Sequence, residues 1–294
     1  MSITVQSATP ALLGEIVEAM ASWQREGAPV QLHPGDLGWA WRFGAERLAA
    51  ETRVWRRDEQ FVAAGMVDRD AGLIRMALAP VVDADEVFAA RLVADLSDPE
   101  RDVLAAGRAC VEARAGTALR GLLRRSGWMP DEAWTPLRRD LTAPVQDCGL
   151  TIRTLEADRV DGRIVQDRVA VGRASFPTSR FTVDRWRTMA ASPAYRRARC
   201  LVAYDRDGRP VAATTVWSAG PGRPGLIEPL GVHRDHRGHG YGRAVTVAAA
   251  AALQDLGSSS ATVCTPSSNV VGVAAYASAG FERLADVTDY RRPS

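Results

Sequence analysis

At 294 residues the chain exceeds the roughly 100–200 residues typical of one domain, so two are expected. Its 46% hydrophobic and 24% charged residues suit a soluble globular protein, and a net charge of +2 gives no electrostatic case for nucleic-acid or membrane binding. There is no lysine, all 37 Lys+Arg positions being arginine, which excludes lysine-based covalent chemistry. Cys110, Cys148, Cys200 and Cys264 form no paired spacing and read as reduced residues in a cytoplasmic protein. No signal segment is recognisable at the N-terminus, and even the alanine-rich run Ala244–Leu256 is too short to span a membrane.

In chain order, Ile3–Gln6 reads as a strand, and Pro10–Gln24 and Asp36–Ala50 as helices. Thr52–Trp55 and Gln60–Val67 form a hairpin about residues 56–59, and Leu73–Leu78 is a further strand. The polar stretch Thr142–Gly149, with its proline and glycine, reads as a linker between domains at 1–143 and 150–294. Leu150–Leu155 then begins an alternation of strands and helices. Thr182 is a candidate N-cap for a helix over Val183–Ala190. Arg199–Tyr204 and Pro210–Ser218 are strands joined by the turn Asp205–Gly208, and the turn Gly220–Gly225 leads into an apolar strand, Leu226–Val232. A helix from about Tyr241 to Leu256 stops at Gly257. Ala261–Cys264 is a buried-type strand, Asn269–Ala279 a helix ended by Gly280, and Phe281 returns the chain to strand. The class is α/β.

Between that strand and helix lies Arg237-Gly238-His239-Gly240-Tyr241-Gly242. Glycines at alternate positions let backbone N–H groups turn inward on a phosphate without a Cβ in the way. The helix that follows adds its N-terminal dipole, and Arg237 and Arg243 add cationic charge at the two ends of the loop. A dinucleotide-binding loop would have G-x-G-x-x-G spacing and an acid about 20 residues on, where Ala261 and Thr262 stand here. The loop is therefore read as a pyrophosphate site of another kind.

The segment Leu230–Ala244 resembles the cofactor-binding motif of the GNAT superfamily of N-acetyltransferases, whose core is Arg/Gln-x-x-Gly-x-Gly/Ala. A second motif lies downstream: Asn269, Tyr276 seven residues on, then Gly280-Phe281. The resemblance is specific over about 225–282 and extends to 150–294. It implies two tandem GNAT-like domains, each a mixed, mostly antiparallel sheet flanked by helices. It also implies acetyl-CoA as acyl donor, held by the backbone of Leu230, Gly231 and Val232, by the amides of Arg237, Gly238, His239, Gly240, Tyr241 and Gly242 with Arg243 beside them, and by Asn269 on the cofactor arm. Tyr276 would be the general acid that protonates the departing thiolate, since a phenol is neutral at pH 7. Glu228 is the first candidate for general base, acting through water, and His233 the second; a structural carboxylate is the competing reading of Glu228. Arg234 stands where many members carry proline.

His233, His236 and His239 cluster without a cysteine or carboxylate at a recognised zinc spacing, so no metal is expected. Phe176, Arg180, Phe181, Trp186 and Trp217 are candidates for the acceptor side of the cleft, or equally for core. If the halves are duplicates, Ser126-Gly127-Trp128 matches Ala279-Gly280-Phe281, which sets Leu123 at the place of Tyr276 and Gly116 at that of Asn269. The loop after Leu73–Leu78 has no glycine, and Asp83, Asp85 and Glu86 would repel a pyrophosphate. The first domain then reads as a degenerate copy. It holds six of the eight tryptophans, among them Trp39, Trp41 and Trp55, as packing residues or as a wall of the acceptor pocket. The function expected is acetyl transfer from acetyl-CoA to a primary amine of a small molecule, by direct attack in a ternary complex. The alternatives are a non-catalytic acyl-CoA sensor or a peptide N-acetyltransferase. No nucleic-acid or membrane partner is expected, and the acceptor and oligomeric state are left open.

Overall fold

The computed structural model describes residues 2–155 and 162–293. By its internal contacts the chain divides into Met1–Leu37, Ala45–Trp134 and Asp286–Ser294 on one hand, and Gly38–Gly44 with Thr135–Ala285 on the other. The division falls inside a strand, at Trp134/Thr135, and not in the linker expected at 142–149.

In the first unit the elements are β1 (Ile3–Ser7), α1 (Leu13–Trp23), α2 (Pro34–Ala40, whose last three residues fall in the second unit), α3 (Ala45–Ala50), β2 (Thr52–Arg57), β3 (Gln60–Asp68), β4 (Leu73–Leu78), α4 (Glu86–Ser97), β5 (Cys110–Glu112), α5 (Thr117–Arg125) and the first half of β6 (Met129–Asp140). The single helix expected over 36–50 is broken: a 3-10 turn at Trp41–Phe43 ends at Gly44, whose φ of +98° is open to glycine but strained for other residues. β1 to β4 are antiparallel neighbours, β4 and β5 pair in parallel, and β5 is followed by a returning strand from the end of the chain and then by β6. The β2–β3 turn sits at Asp58 and Glu59, both at positive φ.

The second unit contains the second half of β6, then β7 (Thr151–Leu155), α6 (Gly162–Ser175), α7 (Val183–Ala190), β8 (Ala198–Tyr204), β9 (Pro210–Ser218), β10 (Gly225–Val232), α8 (Tyr241–Asp255), β11 (Ser260–Pro266), α9 (Val270–Ser278) and β12 (Glu282–Arg283). The strand that returns to the first unit is β13 (Val287–Arg291). The order is β6–β11–β10–β9–β8–β7, with β12 on β6. β9 is buried on both faces along its length past Pro210, as in a strand covered on both sides. α8 is buried nearly all round from Ala244 to Ala250, where its small side chains allow close packing, and α8 packs against β9 and β10. Thr182 caps α7 by accepting from the Arg185 N–H, as its position predicts.

The apolar core beneath α8 and α9 joins Leu137, Val216, Ile227, Val247, Leu253, Val263 and Phe281. Among the described residues no helix is long and apolar enough to cross a membrane.

Candidate functional site

β10 and β11 run in parallel and pair only at Gly225 with Ala261 and Leu226 with Thr262. Beyond that they part. On its other side β10 keeps β9, but the register slips between Ile227 and Leu230: Thr215 alone opposes Glu228 and Pro229. Such a bulge turns one side chain out of the regular alternation. It sets Glu228 at the mouth of the divergence, where the Glu228 carbonyl accepts from Trp217 Nε1 at 2.7 Å.

Tyr276 comes to the same place from the second turn of α9. Its ring lies 5.9 Å from that of Phe281 and packs against the apolar core. Burial pushes the Tyr276 phenol well above the usual tyrosine range, and the negative charge of Glu228 pushes it further. The two candidate catalytic groups thus share one electrostatic environment, in which the phenol keeps its proton throughout the neutral range.

At the far end of β10, a 3-10 turn at Arg234–His236 leads into the glycine loop. Gly238 and Gly240 take φ of +81° and +79°, and a Cβ on either would meet nothing within 4 Å. Glycine is there for backbone conformation, and the face of the loop is open. α8 starts directly at Tyr241, with Gly240 as N-cap and no side chain capping its first N–H groups. Gly231 has a different reason: a Cβ there would lie 2.6 Å from Ser175 Cβ, so glycine lets α6 close on the strand.

The arginines are placed otherwise than charge alone suggests. Arg237 donates to the Ser175 carbonyl at 3.0 Å, and Arg234 to the Ala174 and Arg173 carbonyls, so both finish the C-terminus of α6. Arg243 donates to the Ser278 carbonyl at 3.0 Å and finishes α9. These side chains brace the loop, while their charge stays beside it. Asn269 caps α9, accepting from the Gly272 N–H at 3.1 Å and donating to Thr265 Oγ1 at 2.9 Å. Leu230 and Val232 turn into apolar clusters, which leaves their backbone as the part that could meet an extended ligand.

The histidines serve the loop itself. His233 Nδ1 accepts from the Asp235 N–H, and His239 Nδ1 lies 2.9 Å from the Arg237 carbonyl while its ring stacks on Tyr241. Among the described residues no group of three His, Cys, Asp or Glu side chains is placed to hold a metal ion.

The first unit repeats this framework and fills it. β4 and β5 pair in parallel over Leu73–Arg75 and Cys110–Glu112 and then part. α5 and α9 are both nine residues long, with Gly116 and Asn269 as N-caps, so Leu123 does fall where Tyr276 stands. The helix ends also match: Trp128 N donates to the Leu123 carbonyl as Phe281 N does to that of Tyr276. In the opening beside β4 lies the chain's own segment Gln31–Leu32. Leu32 N donates to the Met76 carbonyl at 3.1 Å, and Leu78 N donates to Gln31 Oε1 at 2.9 Å. Where the second unit has an uncapped helix, Asp85 accepts from the Phe88 N–H and caps α4. Asp83 accepts from Gly116 N and Thr117 Oγ1. Asp83 and Asp85 are thus engaged at the starts of α5 and α4.

Segment Gly38–Gly44 was not foreseen as part of the second unit. Trp39 lies 5.3 Å from Phe181, and Gly38 is packed on the Trp217 ring so closely that a Cβ would overlap it. Phe181, Trp186 and Trp217 are buried, and Phe176 is exposed beside Gly231.

Residues 163–281, within the second unit, match the model of the acetyltransferase (GNAT) family. No curated protein matches the sequence. Three solved structures show a similar fold over nearly the whole chain. A GCN5-related N-acetyltransferase from Sphaerobacter thermophilus is 20% identical, with TM-score 0.57, covering 99% of this chain and 95% of its own. A tandem GNAT protein from the clavulanic acid biosynthesis pathway is 17% identical, with TM-score 0.62 and full coverage of both chains. A GNAT-family acetyltransferase from Colwellia psychrerythraea is 14% identical, with TM-score 0.62, covering 99% of each. At these identities the likeness is one of fold. The second unit therefore contains the segment that matches the acetyltransferase (GNAT) family, and the chain as a whole has a fold similar to that of a tandem GNAT protein.

Proposed function

We propose that this protein is an acetyl-CoA-dependent N-acetyltransferase acting on a primary amine of a small molecule, with one donor site, in the second unit. The observation that carries the reading is the parting of β10 from β11 with Glu228 and Tyr276 in one electrostatic environment and an uncapped helix at its far end. The residues present fit the donor. The open amides of Gly238–Gly242 and the start of α8 suit a pyrophosphate, and the backbone of Leu230–Val232 suits an extended amide-bearing arm. When bound, acetyl-CoA supplies an acyl thioester, whose carbonyl carbon is open to an amine.

The chain's own part is to manage two protons. Glu228, through water, takes the proton that an ammonium acceptor must lose before its nitrogen can attack. Tyr276 holds a proton at its phenolic oxygen and gives it to the leaving sulfur. Direct transfer in a ternary complex needs no enzyme nucleophile, consistent with a site built from a carboxylate, a phenol and backbone amides. The first unit, with Leu123 in place of an acid and its opening filled by Gln31–Leu32, would serve as a degenerate copy without a donor.

Titration calorimetry with acetyl-CoA, followed by thiol release with a panel of amines, tests the reading. One cofactor bound per chain and thiol released with some amine are expected. Two bound per chain, or binding without release for every amine, would count against it.

A further inference from the structure

Around Phe181 the second unit sets a series of cations and aromatic rings in contact. Arg185 Cζ lies 5.1 Å from the Phe43 ring centre, and Arg42 Cζ lies 4.2 Å from Phe43 and 3.9 Å from Trp39. Trp39 meets Phe181 at 5.3 Å, and Arg168 Cζ lies 5.1 Å from Phe181. The series runs from the rim, where Phe43 is 38% exposed, to the interior, where Arg168 is 2% exposed. Its middle adjoins the reaction centre: Gly38, next to Trp39, packs on Trp217, whose indole N–H bonds the Glu228 carbonyl.

Arg168 is the unusual member. Among the described residues its Nε and Nη2 are buried without a hydrogen-bond partner, and neither it nor Arg185 is in an ion pair. Gly172, one turn along α6, leaves space for it: a Cβ there would lie 2.8 Å from Arg168 Nη1. Packing on a ring face can shelter a guanidinium, but it does not satisfy the N–H donors, which lie in the guanidinium's own plane. A cation taken out of water with donors unmet is costly, and a planar fork of this kind suits a carboxylate or phosphate.

Resting on the reading of this unit as an N-acetyltransferase, we infer that its acceptor is an amine that also bears an anionic oxyacid group, and that Arg168 receives that group. The aromatic members hold the guanidinium groups in a row and exclude water. Arg42 and Arg185 guide the anion from the rim, and Arg168 fixes the amine's distance from Glu228. Arg168 is thereby a specificity-determining residue, with no part in proton transfer.

Matched acceptors test this: phenylalanine against phenylalaninamide for a carboxylate, and phosphoethanolamine against ethanolamine for a phosphate. Thiol release with acetyl-CoA should give at least about a tenfold higher kcat/KM for the acidic member of one pair, the scale of one charge-assisted contact. Which pair shows it identifies the oxyacid. Arg168→Met should narrow that ratio to about twofold through KM for the acidic member, with Arg168→Lys regaining part of it. If Arg168→Met does not fold, Arg185→Gln should still lower the ratio, more so at low salt. Equal use of both members in both pairs, or an undiminished ratio in a folded Arg168→Met, overturns the inference and leaves the proposed activity standing. Acetyl-CoA binding without thiol release from any amine sinks both.

Discussion

Replacing Tyr276 by phenylalanine removes one oxygen and leaves the ring. The ring's contacts, the tilted packing on Phe281 at 5.9 Å and the apolar core, are kept, so acetyl-CoA affinity and fold should persist. A positioned general acid contributes about 10²–10⁴-fold in rate, or about 3–5 kcal/mol of barrier. The low end is expected here. A thiol ionises near pH ~8.5, well below a phenol, so a thiolate can depart partly unassisted. Burial and the Glu228 charge raise the Tyr276 pKa above its unfolded value near 10, so the proton is held fully at pH 7–9. By the same sign, its contribution to stability is present below pH ~10 and lost as pH rises further. Thiol release under saturating acetyl-CoA and amine should therefore fall by about 10²-fold in kcat at pH 7–9, with calorimetric affinity for acetyl-CoA within twofold of wild type. A variant that keeps kcat within about threefold would show that Tyr276 is a packing residue, and the acid would have to be sought elsewhere.

Glu228→Gln should lower kcat most at neutral pH and recover in part at high pH, where the amine arrives already deprotonated; a uniform loss across the pH–rate profile would argue against a base. Gly231→Ala should cost about 1–3 kcal/mol in denaturant unfolding, because the new Cβ meets Ser175 at 2.6 Å. Gly240→Ala meets no atom, so its cost should be only the roughly 1 kcal/mol of a left-handed alanine, with acetyl-CoA affinity falling more than stability. In the first unit, Asp289 is buried with its Oδ1 3.6 Å from Arg114 Nε, and burial raises its pKa to about 7 despite that cation. Its folded pKa is above the unfolded one, so its contribution is present below pH ~4 and lost as pH rises to about 7, by at most about 4 kcal/mol. Asp289→Asn should flatten that slope in denaturant midpoints measured from pH 4 to 8.

The second half of the fold was legible because its signals are local. Thr182, Gly257 and Gly280 mark helix ends by their own conformational needs, and the count from Asn269 to Tyr276 fixes a helix face without tertiary information. The same count placed Leu123 correctly, because α5 and α9 have equal lengths and equivalent ends. Charge was a poorer guide. An arginine is long enough to serve a phosphate or a helix carbonyl, and nothing local tells which; Arg237 and Arg243 took the carbonyls. Nor does any periodicity reveal that Gln31 and Leu32 lie along β4, or that Gly38–Gly44 joins the second unit. Those positions are set by surfaces remote in sequence, and Gly44 overrode the apparent helix through 36–50.

The return of β13 to the first unit bears on how the protein is made. Residues 135–285, with Gly38–Gly44 already made, form a unit that can close as soon as they leave the ribosome, whereas the first unit lacks the strand between β5 and β6 until residues 287–291 emerge. The half synthesised first is thus completed last. Until then the edges of β5 and β6 that receive β13 are open to pairing with another chain. Loss of the final few residues should consequently injure the far half of the sequence, and leave the second unit to fold.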